Sequence, residues 1–314
     1  MPSTSAPFSL NAPAGSRLRR SLLYVPGDRA AMIAKASQRG ADGLILNLED
    51  AVAAANKEAA RQVVAQALQS HDFGRAEVVV RINPLDTATG YRDLLAVTPA
   101  APGAILLPKV GSVEETRFAA WTIARLEELH GLPAGQIKLM CMIESAAGVL
   151  AAREIAACHA RVAALIFGAT DYSVEVGCAL TPDGRHLRHA QYQIVLACRA
   201  AGIAAIDTPH MNLQDAAGLA EAAQRAAELG FDGKSAIHPS QIASIHAAFS
   251  PTAEQTAWAE RVLALLGDRD DAQLGAELLD GQLIEAPHLA RARRILAAAG
   301  RGQEAGVRGQ ESAR

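Results

Sequence analysis

Aromatic residues are scarce in this chain, at 4% of 314 positions. Single-stranded nucleic acid is held on stacked rings, so that class of partner is disfavoured. A basic excess is missing as well. The formal charge of −3 gives no electrostatic footprint for nucleic acid. No apolar run approaches the roughly 20 residues of a membrane-spanning helix. The opening segment MPSTSAPFSLNAPAGSRLRR lacks the apolar block of a secretory signal. Residues 1–18 are read as a disordered leader. Cysteine is rare, and Cys141, Cys158, Cys178 and Cys198 form no CxxC pair. Cys158 abuts His159, yet no further ligands follow at zinc spacing. Reduced thiols, mainly packing residues, in a cytoplasmic protein are the expectation.

What is present is apolar material, 50% of the chain, arranged in eight short runs. They are SLLYVPG (21–27), GLILNLE (43–49), VVVRIN (78–83), AILLPKV (104–110), KLMCMIE (138–144), ALIFGAT (164–170), AAIDTP (204–209) and GKSAIHP (233–239). Each is followed by a segment of helical pattern. The runs are continuous rather than alternating, as in parallel strands covered on both faces. Eight such units predict an α/β chain folded as a (β/α)8 TIM barrel over 19–250. No GxGxxG follows the first run, which disfavours the open dinucleotide-binding sheet. Beyond Pro251 a C-terminal helical extension is expected over 251–300. It has a helix near Ala253 to Leu266, the acidic turn GDRDD, and a helix opening at Pro287. So small a piece has no core of its own, and packs on the barrel or on a neighbouring subunit. Residues 301–314 are polar and expected to be disordered.

Charged residues end several of the runs. Parallel barrels gather strand C-termini at one mouth, where catalytic groups collect. Glu144 and Asp171, on strands five and six, are candidate ligands of Mg2+, or of Mn2+ in its place, with water and substrate oxygens completing the shell. The bland alternative is that each caps the helix after it. Arg81 lies among valines and isoleucine, and a buried guanidinium needs a partner. Its fork suits a carboxylate or enolate oxygen. Glu49 or Asp50 next door would also serve as a plain salt bridge. Those two acids are adjacent, so only one faces the barrel interior. Hydrogen bonding to metal-held water is their candidate role, and capping the next helix is the alternative. Lys109 and Lys234 raise a rival, Schiff-base chemistry without metal. His210 and His238 follow strands seven and eight, where a base is conceivable and a structural histidine is commoner. Asp207 is a candidate for orienting a neighbour or fixing its loop.

At these residues the chain resembles the citrate lyase beta-subunit-like family, with malyl-CoA and citramalyl-CoA lyases, in the HpcH/HpaI aldolase superfamily. The matching segments are RSLLYVPGDR, LILNLEDAV, VVRIN, ILLPKV, MIES, GATDYS, GKSAIHPSQ and DGQLIEAPHLARA, from Arg20 to about Leu296. The resemblance implies a Mg2+-dependent barrel that cleaves or forms a carbon–carbon bond in hydroxyacyl thioesters. On it, Glu144 and Asp171 correspond to metal ligands and Arg81 to the substrate-binding arginine. Glu49 and Asp50 match the acidic pair after strand two. A carboxylate on the extension is implied to reach a neighbouring subunit's site, and Glu285 stands there, with Asp280 as second candidate. Many members read Asp-Leu-Glu-Asp where this chain has Asn47 first, and the extension carboxylate is usually Asp.

The function so implied is lyase cleavage of a malyl, citramalyl or citryl thioester to an acetyl thioester and a 2-oxo acid. The carrier is coenzyme A or an acyl-carrier protein. Glu285 is the expected base, and Arg81 meets the developing negative charge. A homo-oligomer, trimer or hexamer, is expected. Rival outcomes are a thioesterase on the same acyl-CoA class, a Schiff-base aldolase, and a non-catalytic acyl-thioester-binding subunit of a larger complex.

Overall fold

Eight parallel strands close on one another in chain order, β1 pairing with both β2 and β8. The computed structural model describes residues 17–179, 181, 183–267 and 275–311, from 301 onward by backbone alone. Almost all of the expected leader, Pro182 of the loop after strand six, and most of the acidic turn GDRDD lie outside the described residues. The strands are β1 (Ser21–Pro26), β2 (Gly43–Asn47), β3 (Glu77–Arg81), β4 (Ala104–Leu107), β5 (Lys138–Ile143), β6 (Val162–Phe167), β7 (Ala204–Asp207) and β8 (Gly233–Ala236). Helices α1 (Ala30–Ala34), α2 (Lys57–Ser70), α3 (Ala88–Val97), α4 (Val113–Leu129), α5 (Ala146–Leu150), α6 (Ala152–Ala157), α7 (Ala169–Val176), α8 (Arg188–Ala201), α9 (Ala216–Leu229) and α10 (Ile242–Ala248) lie between or after them. The (β/α)8 TIM barrel read from the runs is the observed fold. Among the described residues no helix is long and apolar enough to cross a membrane.

Two apolar layers follow from the strand period of two. Leu22, Ile45, Val79, Leu106, Met140, Met142, Ile166 and Ile206 fill the barrel interior as one buried cluster. The alternate residues, such as Leu44, Val80, Ile105, Cys141 and Leu165, pack outward against the helices. The same parity carries Asn47, Arg81, Glu144 and Gly168 inward, each two residues beyond an interior side chain. Lys234 falls out of phase. Its neighbours Gly233 and Ser235 take the inward positions, so Lys234 turns toward the helix layer. There its Nζ meets Asp207 Oδ2 at 2.6 Å, and Gln191 of α8 donates to Asp207 Oδ1 at 2.9 Å. The placement of Lys234 at the barrel mouth is thus corrected: it is a buried structural ion pair.

All eight runs were drawn one to three residues too long at their C-terminal ends. The ladder stops earlier because the polar residues there leave the sheet for the βα loops. Asp171 is the largest case, since it sits in the first turn of α7 rather than on a strand.

The opposite end of the barrel is tied by ion pairs. Arg19 grips Glu77 with two nitrogens at 2.6 and 2.8 Å, and Arg20 reaches both oxygens of Asp42. An open groove of about 600 Å3 near Arg20, Ser250 and Glu260 lies at this end and holds none of the candidate residues.

The extension forms α11 (Ala253–Leu266), a two-stranded hairpin of β9 (Glu277–Leu279) and β10 (Gln282–Ile284), and α12 (Ala286–Glu311). Thr252 and Gln255 make a reciprocal capping box that starts α11. Ala259, Val262, Leu266, Ile284, Leu289, Ala292 and Ile295 form a buried cluster of their own. The expectation that this piece has no core is therefore corrected: two amphipathic helices close on each other. α12 runs on past Arg301 to Glu311, and the last three residues of the expected tail lie outside the described residues. No proline follows Pro287 in α12, so every later residue of the helix keeps its N–H donor.

Candidate active site at the barrel mouth

Arg81 is the last residue of β3 and points inward. Its Nη2 lies 2.7 Å from Glu49 Oε2 and 3.8 Å from Glu144 Oε1, and its Nη1 lies 3.4 Å from Asp50 Oδ2. The salt bridge to the acidic pair is thus real, and it leaves the guanidinium beside Glu144. Its buried Nε has no hydrogen-bond partner among the described residues. Of the acidic pair, Glu49 is buried and Asp50 has a 61% exposed side chain. Burial raises the Glu49 carboxyl above its ordinary range. Burial is the largest single influence on Asp50 and pulls its carboxyl up, but its hydrogen bond with Glu49 and the charges of Arg81, Lys109 and Lys57 together hold it below the ordinary range.

Glu144 is the first residue past β5 and is almost fully buried. It does not cap the next helix, because Ser145 does so by accepting from Gly148 N. Its Oε1 accepts the backbone N–H of Lys109 at 2.7 Å. Among the described residues no hydrogen bond reaches Oε2. That oxygen faces Gly168, where an added Cβ would come within 2.5 Å of it and 2.6 Å of Glu144 Cβ. The glycine is therefore a spatial requirement for this carboxylate. Burial pushes the Glu144 pKa up to about 7. Arg81 and the Lys109 N–H oppose the shift, while Asp171 and Glu49 add to it. The Asp171 charge is thus felt at Glu144, so the two acids share one field. Asp171 is exposed and accepts no hydrogen bond from any described residue.

Lys109 contributes twice. Its φ of +52° is a sparsely populated conformation for a side-chain-bearing residue. In that conformation its N–H meets Glu144, and its half-exposed Nζ lies 3.7 Å from Glu49 Oε1. His238 is engaged locally, its Nδ1 accepting from Ser240 N at the start of a short helical turn. His210 lies 3.5 Å from Asp215 Oδ2, and its carbonyl accepts from Gln241. Asp207 belongs to the Lys234 pair described above. The structure brings none of these three to the Arg81–Glu144 cluster. Glu285 is exposed and precedes α12, its N–H donating to His288 Nδ1. Asp280 is paired with Arg261 at 2.6 Å. Of the two extension carboxylates, Glu285 is the one without an ion-pair partner among the described residues.

Sequence reading missed four parts of this assembly. Asn47 is more than a lost charge: its Oδ1 accepts the Glu49 N–H at 3.0 Å. Tyr24 on β1 has its pKa raised by burial, and the charges of Arg81, Glu144 and Glu49 act on it. Gly168 and Lys57 are the other two. Strand parity would have found Tyr24, two residues beyond Leu22. Nothing local marks Gly168, because the space it leaves is filled from another strand.

Chemically, the mouth presents two acids sharing one field, each with an oxygen that receives no hydrogen bond from the described residues, beside an anchored guanidinium. Among the described residues no group of three or more His, Cys, Asp or Glu is arranged to hold a metal. A closed protein cage is not what this site builds. Two oxygen donors with open positions suit a hard cation that keeps water and takes substrate oxygens.

A model of the HpcH/HpaI aldolase/citrate lyase family matches residues 20–239. Over 280 residues the chain is 39% identical to citrate lyase subunit beta of Leuconostoc mesenteroides subsp. cremoris, covering 89% of this chain and 93% of that one. It is 34% identical over 280 residues to (3S)-malyl-CoA thioesterase of Cereibacter sphaeroides, covering 89% and 94%. CitE from Mycobacterium tuberculosis, solved with magnesium, acetoacetate and coenzyme A, superposes with a TM-score of 0.75 at 35% identity, over 90% of this chain and 98% of that one. With a matching family model, relatives matched over most of their length and the same barrel, the chain belongs to the HpcH/HpaI aldolase/citrate lyase family.

Proposed function

We propose that this chain is a Mg2+-dependent carbon–carbon lyase. Its substrate is a β-hydroxyacyl thioester of malyl, citramalyl or citryl type, carried on coenzyme A or an acyl-carrier protein. Its products are an acetyl thioester and a 2-oxo acid. The observation that carries this reading is the placement of Arg81 between Glu49 and Glu144, with Asp171 in the field of Glu144. The magnesium and coenzyme A in the CitE complex support it.

Glu144 and Asp171 would hold the cation, and the donor set fits, since both are hard oxygen ligands with positions left open. Mg2+ supplies Lewis-acid polarisation of the substrate's carboxylate and hydroxyl oxygens. Glu285 of a neighbouring subunit removes the hydroxyl proton. The bond between the hydroxyl-bearing carbon and the carbon next to the thioester breaks, and its electron pair passes to the thioester as an enolate. Arg81, held by Glu49, meets that negative charge. The proton on Glu285 returns to carbon, giving the acetyl group, so atoms and charge balance. Sharing of Glu285 makes the enzyme a homo-oligomer, trimer or hexamer, and a cytoplasmic location suits its free thiols.

A panel of malyl, citramalyl and citryl thioesters tests this by 2-oxo acid release. Turnover should vanish with EDTA and return with Mg2+ or Mn2+. Activity indifferent to chelation would refute it. Mixing Arg81→Ala with Glu285→Ala subunits should restore part of the activity that each lacks alone. A second reading is favoured by the (3S)-malyl-CoA thioesterase relative. In it the same thioester is hydrolysed, and free thiol appears without 2-oxo acid.

A further inference from the structure

Lys57 occupies an unfavourable place. It is the first residue of α2, where the helix dipole opposes a cation. Burial lowers its pKa, and the charges of Glu49, Asp93 and Asp50 work against that fall. Yet its Nζ donates to two carbonyls, Leu48 O and Glu49 O, each at 2.7 Å. These are the first two carbonyls past the end of β2. Leu48 O also accepts from Asn83 Nδ2 at 3.0 Å. Asn83 is in turn fixed by Asp93, whose Oδ2 accepts from its backbone N at 2.9 Å and its Nδ2 at 2.6 Å. Arg61, one turn along α2 from Lys57, donates to Asp93 Oδ1 at 2.8 Å. Two cations of one helix therefore hold the same loop, Lys57 directly and Arg61 through Asp93 and Asn83.

The object held is the peptide of Glu49. Its carbonyl accepts from Lys57 Nζ and from the Val52 N–H at 3.0 Å, and its N–H donates to Asn47, while its carboxylate takes Arg81 at 2.7 Å and the Asp50 N–H at 2.9 Å. With both backbone groups pinned, the direction of the carboxylate is set before any substrate arrives. A half-buried lysine with a purely structural role could leave its ammonium to water, and would not need these two carbonyls.

We propose that Lys57 is a positioning residue for the reaction: it fixes the Leu48–Glu49 backbone so that Glu49 holds the Arg81 guanidinium in its working orientation. This rests on the reading of Arg81 as the group that meets developing charge. Lys57 touches neither the substrate nor the candidate metal ligands, and acts through Glu49.

The test compares Lys57→Met, which keeps the stem and loses the donors, with Lys57→Arg, which keeps donors. Lys57→Met should lower kcat about tenfold, as misplacement by a fraction of an ångström does, with KM little changed. Mg2+ affinity by calorimetry should stay as in wild type, and Lys57→Arg should recover most of the loss. In a Glu49→Gln background the Lys57→Met change should add less than about twofold, because the two act on one contact. An equal loss in both backgrounds, or a rise in KM with kcat intact, would overturn the proposal. Should Lys57→Met not fold, Lys57→Gln is read by the same criteria. A crystal structure of the variant decides the point without substrate. Displacement of Arg81 from Glu49 supports positioning, and an unmoved pair refutes it. If the wild-type protein releases no 2-oxo acid, the lyase reading falls and this structural comparison still judges Lys57.

Discussion

Arg81 and Glu49 meet at 2.7 Å with side chains only 6% and 4% exposed. A charge pair so far from water is stable as a pair, and costly when one member is removed. Arg81→Ala should therefore fail twice. Turnover should drop on the order of a thousandfold, through loss of charge stabilisation. Unfolding free energy should fall by roughly 3 kcal/mol, because Glu49 and Glu144 are left buried without their cation. Denaturant melts beside steady-state rates check both, and a variant as stable as wild type would contradict the observed pairing.

Gly168→Ala should damage the site without a backbone penalty, since φ at this position is −100°. The new methyl would stand 2.5 Å from Glu144 Oε2 and 2.6 Å from Glu144 Cβ, so the carboxylate has to move. Mg2+ affinity should weaken by about tenfold or more, the scale on which disturbed support of a ligand is felt. Titration calorimetry at constant fold, confirmed by circular dichroism, is the measurement.

Lys234→Met separates the buried ion pair from the Schiff-base idea. Asp207 would keep its Gln191 hydrogen bond and lose its cation at 2.6 Å. Stability should fall by about 3–5 kcal/mol, the cost of stranding a buried charge. Borohydride with substrate should trap no adduct on wild-type Lys234. A trapped lysine there would mean the side chain reaches the mouth after all.

Acid stability should bear the mark of His246, whose Nε2 lies 2.8 Å from Ser21 Oγ. Burial pushes its pKa from 6.5 down to about 4, with Asp42 opposing and Arg20 assisting. The fold thus refuses a proton that the unfolded chain accepts. This contribution is intact above pH 6.5 and is lost as the pH falls toward 4, by up to roughly 3 kcal/mol. Thermal melts across that window should show a steeper fall for wild type than for His246→Gln.

Much of the architecture was readable because it depends on local periodicity. Continuous apolar runs such as LLYV and MCMI are what a strand buried on both faces requires, and eight of them close a barrel. The strand ends were less readable. Glu49, Glu144 and Asp171 lie past the last ladder bonds, and no pattern of two or of 3.6 marks where a ladder stops. Parity is readable only when the strand is correctly phased. Val79 sets the phase that turns Arg81 inward, whereas the phase of Lys234, a Schiff-base candidate by residue type, sends it to the helices.

By itself the sequence determined the barrel, the family and the acidic and basic residues that could carry chemistry, because these rest on residue type and repeat. Tertiary structure decided which of them meet. It put Arg81 between Glu49 and Glu144, gave Lys234 to Asp207, and made Gly168 the space that Glu144 fills. Contacts between strands far apart in the chain depend on register and side-chain direction. Those are fixed only when the sheet closes and each buried charge has found its partner.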